Sequence, residues 1–535
     1  MLAAEAHLRC VRSGWNHGSL PENSASGAER LSVAEGTGGG RSEDTQRILV
    51  LITMSMCTML YALTLTIVNV VLPQMQGALS ASPDQISWVV TLNVVATAVV
   101  TPMTGWFATR FGQRRVILWS VVGFSISSLL CATATTLPPL LLYRVGQGIF
   151  GAPLVPLSQA IVVAAFPPSK RAMAQGVFGM SVVIGPAIAP ALGGYLAEAY
   201  GWQWVFLLIL PLCVAAFIGV LLFIHDKQRS EAVRLDWTGF LTLSIAVCCL
   251  QLIMDRGHRL DWLESGEIVT LTTVLALCAF IFLVHTATHD RPFINPELFR
   301  DRNFDVGLLL VFVYGMINVT PTVMFPALLQ NLKGFPDSLI GTLLAMRGGG
   351  MVLGFLAASR MGRLDPRLSI AVGLICIGLS GWNSASFDLN VSAAEVGWTG
   401  VLQGFGCGVM WVPLSVITFA TLSDRLLPDA AAIFHLLRNF GSSIFISLSV
   451  LAVVRSGSTN YAELTEQLNV FSKSLHLPSV VGVWNFESLP SLAALSQEVA
   501  RQASMIGYAN AFLLYTLACF VSLPLIFFVR VGRTR

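Results

Sequence analysis

The sequence predicts an all-α polytopic membrane protein of fourteen transmembrane helices: two six-helix bundles joined by two extra central helices. Three observations carry this. Of the 535 residues 54% are hydrophobic and only 11% charged, against roughly 25% charged in a soluble domain. Runs of about 20 apolar residues, each long enough to cross a bilayer, recur along the chain. Basic residues concentrate on alternate connections, which sets an orientation.

The elements follow in order. Residues 1–46 are rich in Gly, Ser and Glu and have no signal-peptide-like apolar stretch; they read as a disordered cytoplasmic tail. Spans are expected at 47–71, 86–108, 114–135, 138–165, 173–197 and 203–225, a first bundle over 47–225. Two linker spans, 236–255 and 266–288, lie within 226–302. A second bundle, 303–535, holds spans at 303–328, 338–360, 368–387, 394–420, 430–454 and 506–530. They must be helices, because a single span satisfies its own backbone only in that form. With the amino terminus inside, the inner connections hold Arg110, Arg114, Arg115, Lys170, Arg171, Arg360, Arg363, Arg425 and Arg530, among others. The outer ones hold only Arg256, Arg259, Lys333, Arg455, Lys473 and Arg501. Both termini are therefore expected on the cytoplasmic side of an inner, cytoplasmic membrane. Residues 455–505 read as one long outer segment, polar enough to be partly ordered loop or short helix.

Several stretches stand out. In "GWFATRFGQRR", residues 105–115, Gly105 and Gly112 permit a tight turn, and Arg110, Arg114 and Arg115 anchor it at the inner face. Span 4 carries Arg144 with Gln147 at i+3, on one helix face. Span 5 is lined by small residues, among them Gly185, Gly193 and Gly194, and holds Pro186 and Pro190, a composition suited to close, sliding packing. Cysteines number ten; all but Cys10 lie in apolar runs, none in a CxxC or Cys/His cluster, so no metal is expected. The glycines of "GTGGG", residues 36–40, lack a following Lys-Ser/Thr and are no phosphate loop. No catalytic triad or metal spacing suggests an enzyme.

Together these stretches resemble the Major Facilitator Superfamily, and more narrowly its fourteen-span drug:proton antiporters of EmrB/QacA type, over residues 45–530. "GWFATRFGQRR" resembles the loop 2–3 signature, "RVGQGIFGA" (144–152) the span 4 signature and "APALGG" (189–194) the antiporter signature of span 5. "TIVNVVLP" (66–73), "WQWVF" (202–206), "RLDWTG" (234–239) and "FHLLRNFGSSI" (434–444) follow in family order. The resemblance implies proton-driven efflux of lipophilic compounds by alternating access, without a cofactor. In double-membrane bacteria it also implies a periplasmic adaptor and an outer-membrane channel as partners; the lipid bilayer is the other, and nucleic acid is not. Three positions depart from the family: Thr109 replaces the aspartate of the loop 2–3 signature, Ala189 a glycine of span 5, and Thr64 the acid of span 1.

No Asp or Glu lies at a span centre, yet Arg144, Arg347 and Arg438 are embedded, with His435 at i−3 from Arg438. An embedded arginine costs at least about 2.5–3.5 kcal/mol unless partnered. Asn93, Arg144, Gln147, Tyr314, Asn318, Arg347, Gln403, Trp411, His435 and Arg438 are therefore the candidates for the substrate path and coupling. An electropositive interior favours neutral or weakly acidic amphiphiles over dications. An uptake symporter of the same fold and a non-transporting sensor or scaffold stand as alternatives.

Overall fold

The structure, a computed structural model, describes residues 25–225, 235–257, 259–289, 292–361, 365–468 and 488–528. The expected tail over 1–24, Arg363, Lys473 and the carboxy-terminal arginines lie outside these residues. Seventeen α-helices are described: α1 (Ala25–Ala78), α2 (Pro83–Val100), α3 (Thr104–Phe111), α4 (Gln113–Thr133), α5 (Leu137–Gly151), α6 (Leu154–Ala165), α7 (Pro168–Tyr200), α8 (Gln203–Leu207), α9 (Ile209–Phe223), α10 (Trp237–Arg256), α11 (Gly266–Thr288), α12 (Arg302–Lys333), α13 (Asp337–Arg360), α14 (Pro366–Ala385), α15 (Ala393–Phe419), α16 (Leu427–Gln467) and α17 (Leu489–Ser522).

Thirteen stretches among the described residues are helical, long and apolar enough to cross a membrane. The 33-residue helix α7 occupies the place of the expected fifth span. Spans 2 and 4 are each built from two helices. A proline sits at the first break, Pro102 in the 3-10 turn Thr101–Met103, and another, Pro153, at the second; proline removes a backbone donor and clashes with the preceding turn. Helix starts carry their own caps. Ser82 with Gln85 and Ser392 with Glu395 form capping boxes, and the Asp236 carboxylate accepts from the Gly239 N–H.

One expectation shifts: helix α1 begins at Ala25 rather than near residue 47, because extending a helix needs no new nucleus. Of the outer segment 455–505, residues 455–467 and 489–505 are helix. Helix α16 runs on to Gln467 and α17 starts at Leu489, through "NYAELTEQ" and "SLAALSQEVARQ", both rich in good helix formers. Tyr461 on α16 and Ser496 on α17 meet hydroxyl to hydroxyl at 3.0 Å, and Asn510 donates to Ser456 at 2.7 Å.

Helices α2, α4, α5, α8 and α9 pack together in the first half of the chain, and α12 to α17 in the second. Helix α7 packs on α13 and α15, and α6 on α16, which joins the halves. Helix α10 touches both halves: Thr91 on α2 donates to Asp255 at 2.6 Å, and Ser443 on α16 donates to Gln251 at 3.1 Å. Helix α11 packs on α10 and buries little else.

Candidate functional site

The ten residues singled out in the sequence fall into three clusters. The first lies within the amino-terminal half. Arg144 is fully buried. Its Nε donates to the Val89 carbonyl of α2 at 2.8 Å, and one terminal nitrogen donates to the Gln147 side chain. Gln147 passes the chain to Ser128 of α4 at 2.7 Å, and Asn93 donates to the Arg144 carbonyl at 3.0 Å. The guanidinium thus staples three helices from inside; its Nη2 has no hydrogen-bond partner among the described residues.

The second cluster lies within the carboxy-terminal half. Arg347 on α13 donates through Nε to Gln403 of α15 and through Nη2 to the Asn318 side chain of α12 at 2.9 Å and to its carbonyl. Gln403 donates to the Ile317 carbonyl at 3.1 Å, to which the Tyr515 hydroxyl of α17 also donates at 3.0 Å. Four helices share this network. The guanidinium charge is met by neutral acceptors, with no carboxylate among the described residues, and its aliphatic stem borders an apolar crevice lined by Phe325, Leu329, Leu343 and Val396.

The third cluster sits between the halves and is the candidate site. Trp411 of α15 lies 5.1 Å from the Tyr314 ring, centroid to centroid, and 6.3 Å from the His435 ring. The Arg438 guanidinium lies over Trp411 at 5.9 Å, within cation–π range. Arg438 is half-buried, and its side chain makes one long bond, 3.3 Å, to neighbouring Asn439. The hydroxyls of Tyr314 and of Tyr61 on α1 lie within its electrostatic reach. Unlike Arg144 and Arg347, it has no network of its own among the described residues. His435 is buried, and its Nε2 meets the Gln159 carbonyl oxygen of α6 at 2.6 Å; Gln159 in turn donates to Gln175 of α7 at 3.2 Å. Taken with the Gln159 oxygen as acceptor, His435 carries its hydrogen on Nε2 and a lone pair on Nδ1. That Nδ1 and the Trp411 Nε1–H are buried without partners among the described residues.

Closure around this cluster depends on glycines. Gly176 and Gly179 on α7 face α13 and α15: a Cβ on Gly179 would lie 2.8 Å from the Phe355 ring and 3.1 Å from Trp411. At the arginine-bearing end, a Cβ on Gly105 would lie 1.5 Å from the Asp429 carboxylate and 2.8 Å from its Cα. Gly105 therefore serves helix approach, not the turn. The turn belongs to Gly112, whose φ is +89°. Arg114 donates to the Leu221 carbonyl at 2.7 Å, while Arg110 and Arg115 are exposed. Gly185 and Gly193 face α1 at Met59 and Ile67, and Gly194 has open space. Pro186 is half-buried within α7; the side chain of Pro190 lies outside those described.

Sequence reading missed Gln159, Gln175, Tyr61 and Asp429. A lone amide in an apolar run was the available signal for Gln159; Asp429 lay one residue outside the expected span. Thr64 and Thr109, at the departing positions, turn their hydroxyls onto their own helices, to Leu60 and Gly105 at 2.8 and 3.0 Å. Neither replaces the missing acid.

Residues 54–446 match the profile of the Major Facilitator Superfamily. The chain is 30% identical over 495 residues to "Multidrug export protein EmrB" of Escherichia coli (strain K12), covering 91% of this chain and 96% of that one. It is 28% identical over 486 residues to "Fatty acid resistance protein FarB" of Neisseria gonorrhoeae, covering 90% and 96%. The crystal structure of the human organic anion transporter MFSD10 shares the fold at a TM-score of 0.58 and 15% identity, over 88% of this chain and 99% of that one.

Proposed function

The chain belongs to the Major Facilitator Superfamily and, within it, to the drug:proton antiporters of EmrB type, and we propose that it exports neutral or weakly acidic amphiphiles in exchange for protons. The observation that carries the substrate class is Arg438: a fixed cation against Trp411 and Tyr314 between the two halves, with no carboxylate partner among the described residues. Similarity to a relative named for resistance to fatty acids supports the same class.

Exchange follows from His435. Its Nδ1 lone pair, buried beside Arg438, can accept the O–H of a bound phenol or carboxylic acid. A proton arriving at Nδ1 takes the same lone pair, so proton and substrate exclude one another there. Protonation also places a second positive charge one helical turn from Arg438, which opposes the packed arrangement. The halves are joined in this structure at the arginine-bearing end, through Gly105 against Asp429 and His435 against Gln159. With that end cytoplasmic, as the charge bias indicates, this is the inward-closed state. Alternating access then moves residues 47–225 against 303–535 as fourteen spans in an inner membrane, with both termini cytoplasmic. The proton gradient is the energy source. In a double-membrane bacterium the helical extensions of α16 and α17 offer a surface to a periplasmic adaptor, and through it to an outer-membrane channel.

The test uses purified protein in weakly buffered micelles. At a pH low enough to protonate His435, a neutral phenolic amphiphile should release about one proton per molecule bound, and His435→Gln should abolish the release. Export of dicationic dyes from vesicles, with weak acids neither exported nor releasing protons, would sink the proposal.

A further inference from the structure

Away from the transport path, the junction of the two linker helices gathers three metal-ligating side chains. Asp236 caps the start of α10. His285 and His289 lie one turn apart in and just after the last turn of α11. Their ligand atoms all lie within 4.8 Å of one another. We propose that Asp236, His285 and His289 form a binding site for a borderline divalent metal ion of the zinc class, which staples α10 to α11.

The carboxylate is already positioned as a ligand should be. Asp236 accepts the Gly239 N–H through Oδ1 and the Phe293 N–H through Oδ2, both at 3.0 Å. These bonds fix its orientation and leave lone pairs free. The His285 Nε2 sits 2.9 and 3.0 Å from the two oxygens.

The histidines complete the set. Their rings stack at 4.7 Å and 21°, so two nitrogen donors leave the helix side by side, the i, i+4 spacing by which helical histidines share a metal. A four-coordinate zinc ion with 2.0–2.2 Å bonds needs donors about 3.4 Å apart. The remaining contraction falls to His289, which is exposed and free to change rotamer. On binding, the Nε2 hydrogen that His285 now shares with Asp236 is lost to solvent and a neutral ring takes one back at Nδ1, so that Nε2 is presented to the ion. Any protonated histidine gives its proton to solvent. Two imidazoles and one carboxylate select zinc, cobalt or nickel over magnesium or calcium, and the fourth position is left to water. The ion would join three chain segments: the α10 cap, the end of α11 and the stretch at Phe293 leading into α12.

The experiment uses full-length protein without a histidine tag, in nanodiscs, stripped with chelator. Titration with Co2+ should give the intense visible bands of four-coordinate cobalt at one equivalent, displaced by Zn2+. His289→Gln, which removes an exposed side chain, should weaken binding by at least about 100-fold, since losing even a group that only orients a ligand costs 10–100-fold; His285→Gln should do the same. Cobalt spectra of six-coordinate type, or zinc affinity unchanged in the His285→Gln/His289→Gln double variant with the protein still monodisperse, would overturn the site.

Discussion

Substituting Gly105 tests the closed end most directly. In Gly105→Ala the new methyl would sit 1.5 Å from the Asp429 Oδ1, 2.5 Å from Cγ and 2.8 Å from Cα. The oxygen can swing away; the Cα cannot, because it belongs to the first turn of α16. Overpacking of this kind costs about 1–3 kcal/mol. The cost applies only when the two helices meet, so it falls wholly on the closed state. The ratio of closed to open molecules should drop by about 5–150-fold. Spin labels at exposed Arg110 and Ser423, in a cysteine-free background, report the gap by electron–electron resonance. The variant should show a longer, broader distance distribution and slower export, with unchanged expression. Adding Asp429→Ala removes the oxygen clash but leaves the crowding against the α16 backbone, so recovery should be partial. A distance distribution and export rate equal to the parent's in Gly105→Ala would refute the idea that this close approach shuts the transporter.

Four further outcomes follow from the clusters. Arg438→Gln should cut export of weakly acidic amphiphiles about tenfold or more and spare neutral ones, with Arg438→Lys intermediate; equal export in both variants would make Arg438 a packing residue. His435→Leu leaves the Gln159 oxygen buried and unpaired, a cost of about 1–3 kcal/mol. It should widen the same spin-label distance, whereas His435→Leu with Gln159→Leu should restore part of the closed population. Arg347→Met strips Gln403 and Asn318 of a charged donor; hydrogen bonds to charged groups are worth about 1.5–3 kcal/mol each, so a large fall in thermal stability in detergent is expected, rather than a change of substrate range. Arg144→Met should behave likewise, because Arg144 ties α2 to α5 and, through Gln147, to α4.

The helices were legible in the sequence because apolar runs and loop charges act one segment at a time. The rotation of each helix about its axis was not, since it depends on which neighbour approaches. Arg144, Arg347 and Arg438 look alike in sequence: each is a cation in an apolar run. The fold separates them by what lies across from them: carbonyls and amides for the first two, an aromatic face for the third. Gln159 was unreadable for the same reason, its partner His435 being 276 residues away. Within 455–505 loop and helix could not be told apart, because polarity does not mark the end of a helix; α16 and α17 both extend into this polar stretch. Gly105 and Gly112 read as one turn, but one grants a positive φ and the other a close approach.

Helix α10 has a consequence for how the molecule moves. It is tied to α2 by a short bond with an ionised acceptor, Thr91 to Asp255, and to α16 by a longer neutral one, Ser443 to Gln251. When the halves rock, both cannot hold, and charge-assisted bonds are roughly twice as strong as neutral ones. The neutral one yields. Helices α10 and α11 are then expected to ride with the first half, which would make the two moving bodies unequal: α1 to α11 against α12 to α17. The larger body sweeps more lipid, so bilayer thickness and viscosity should weigh on the turnover of this transporter through one half more than the other.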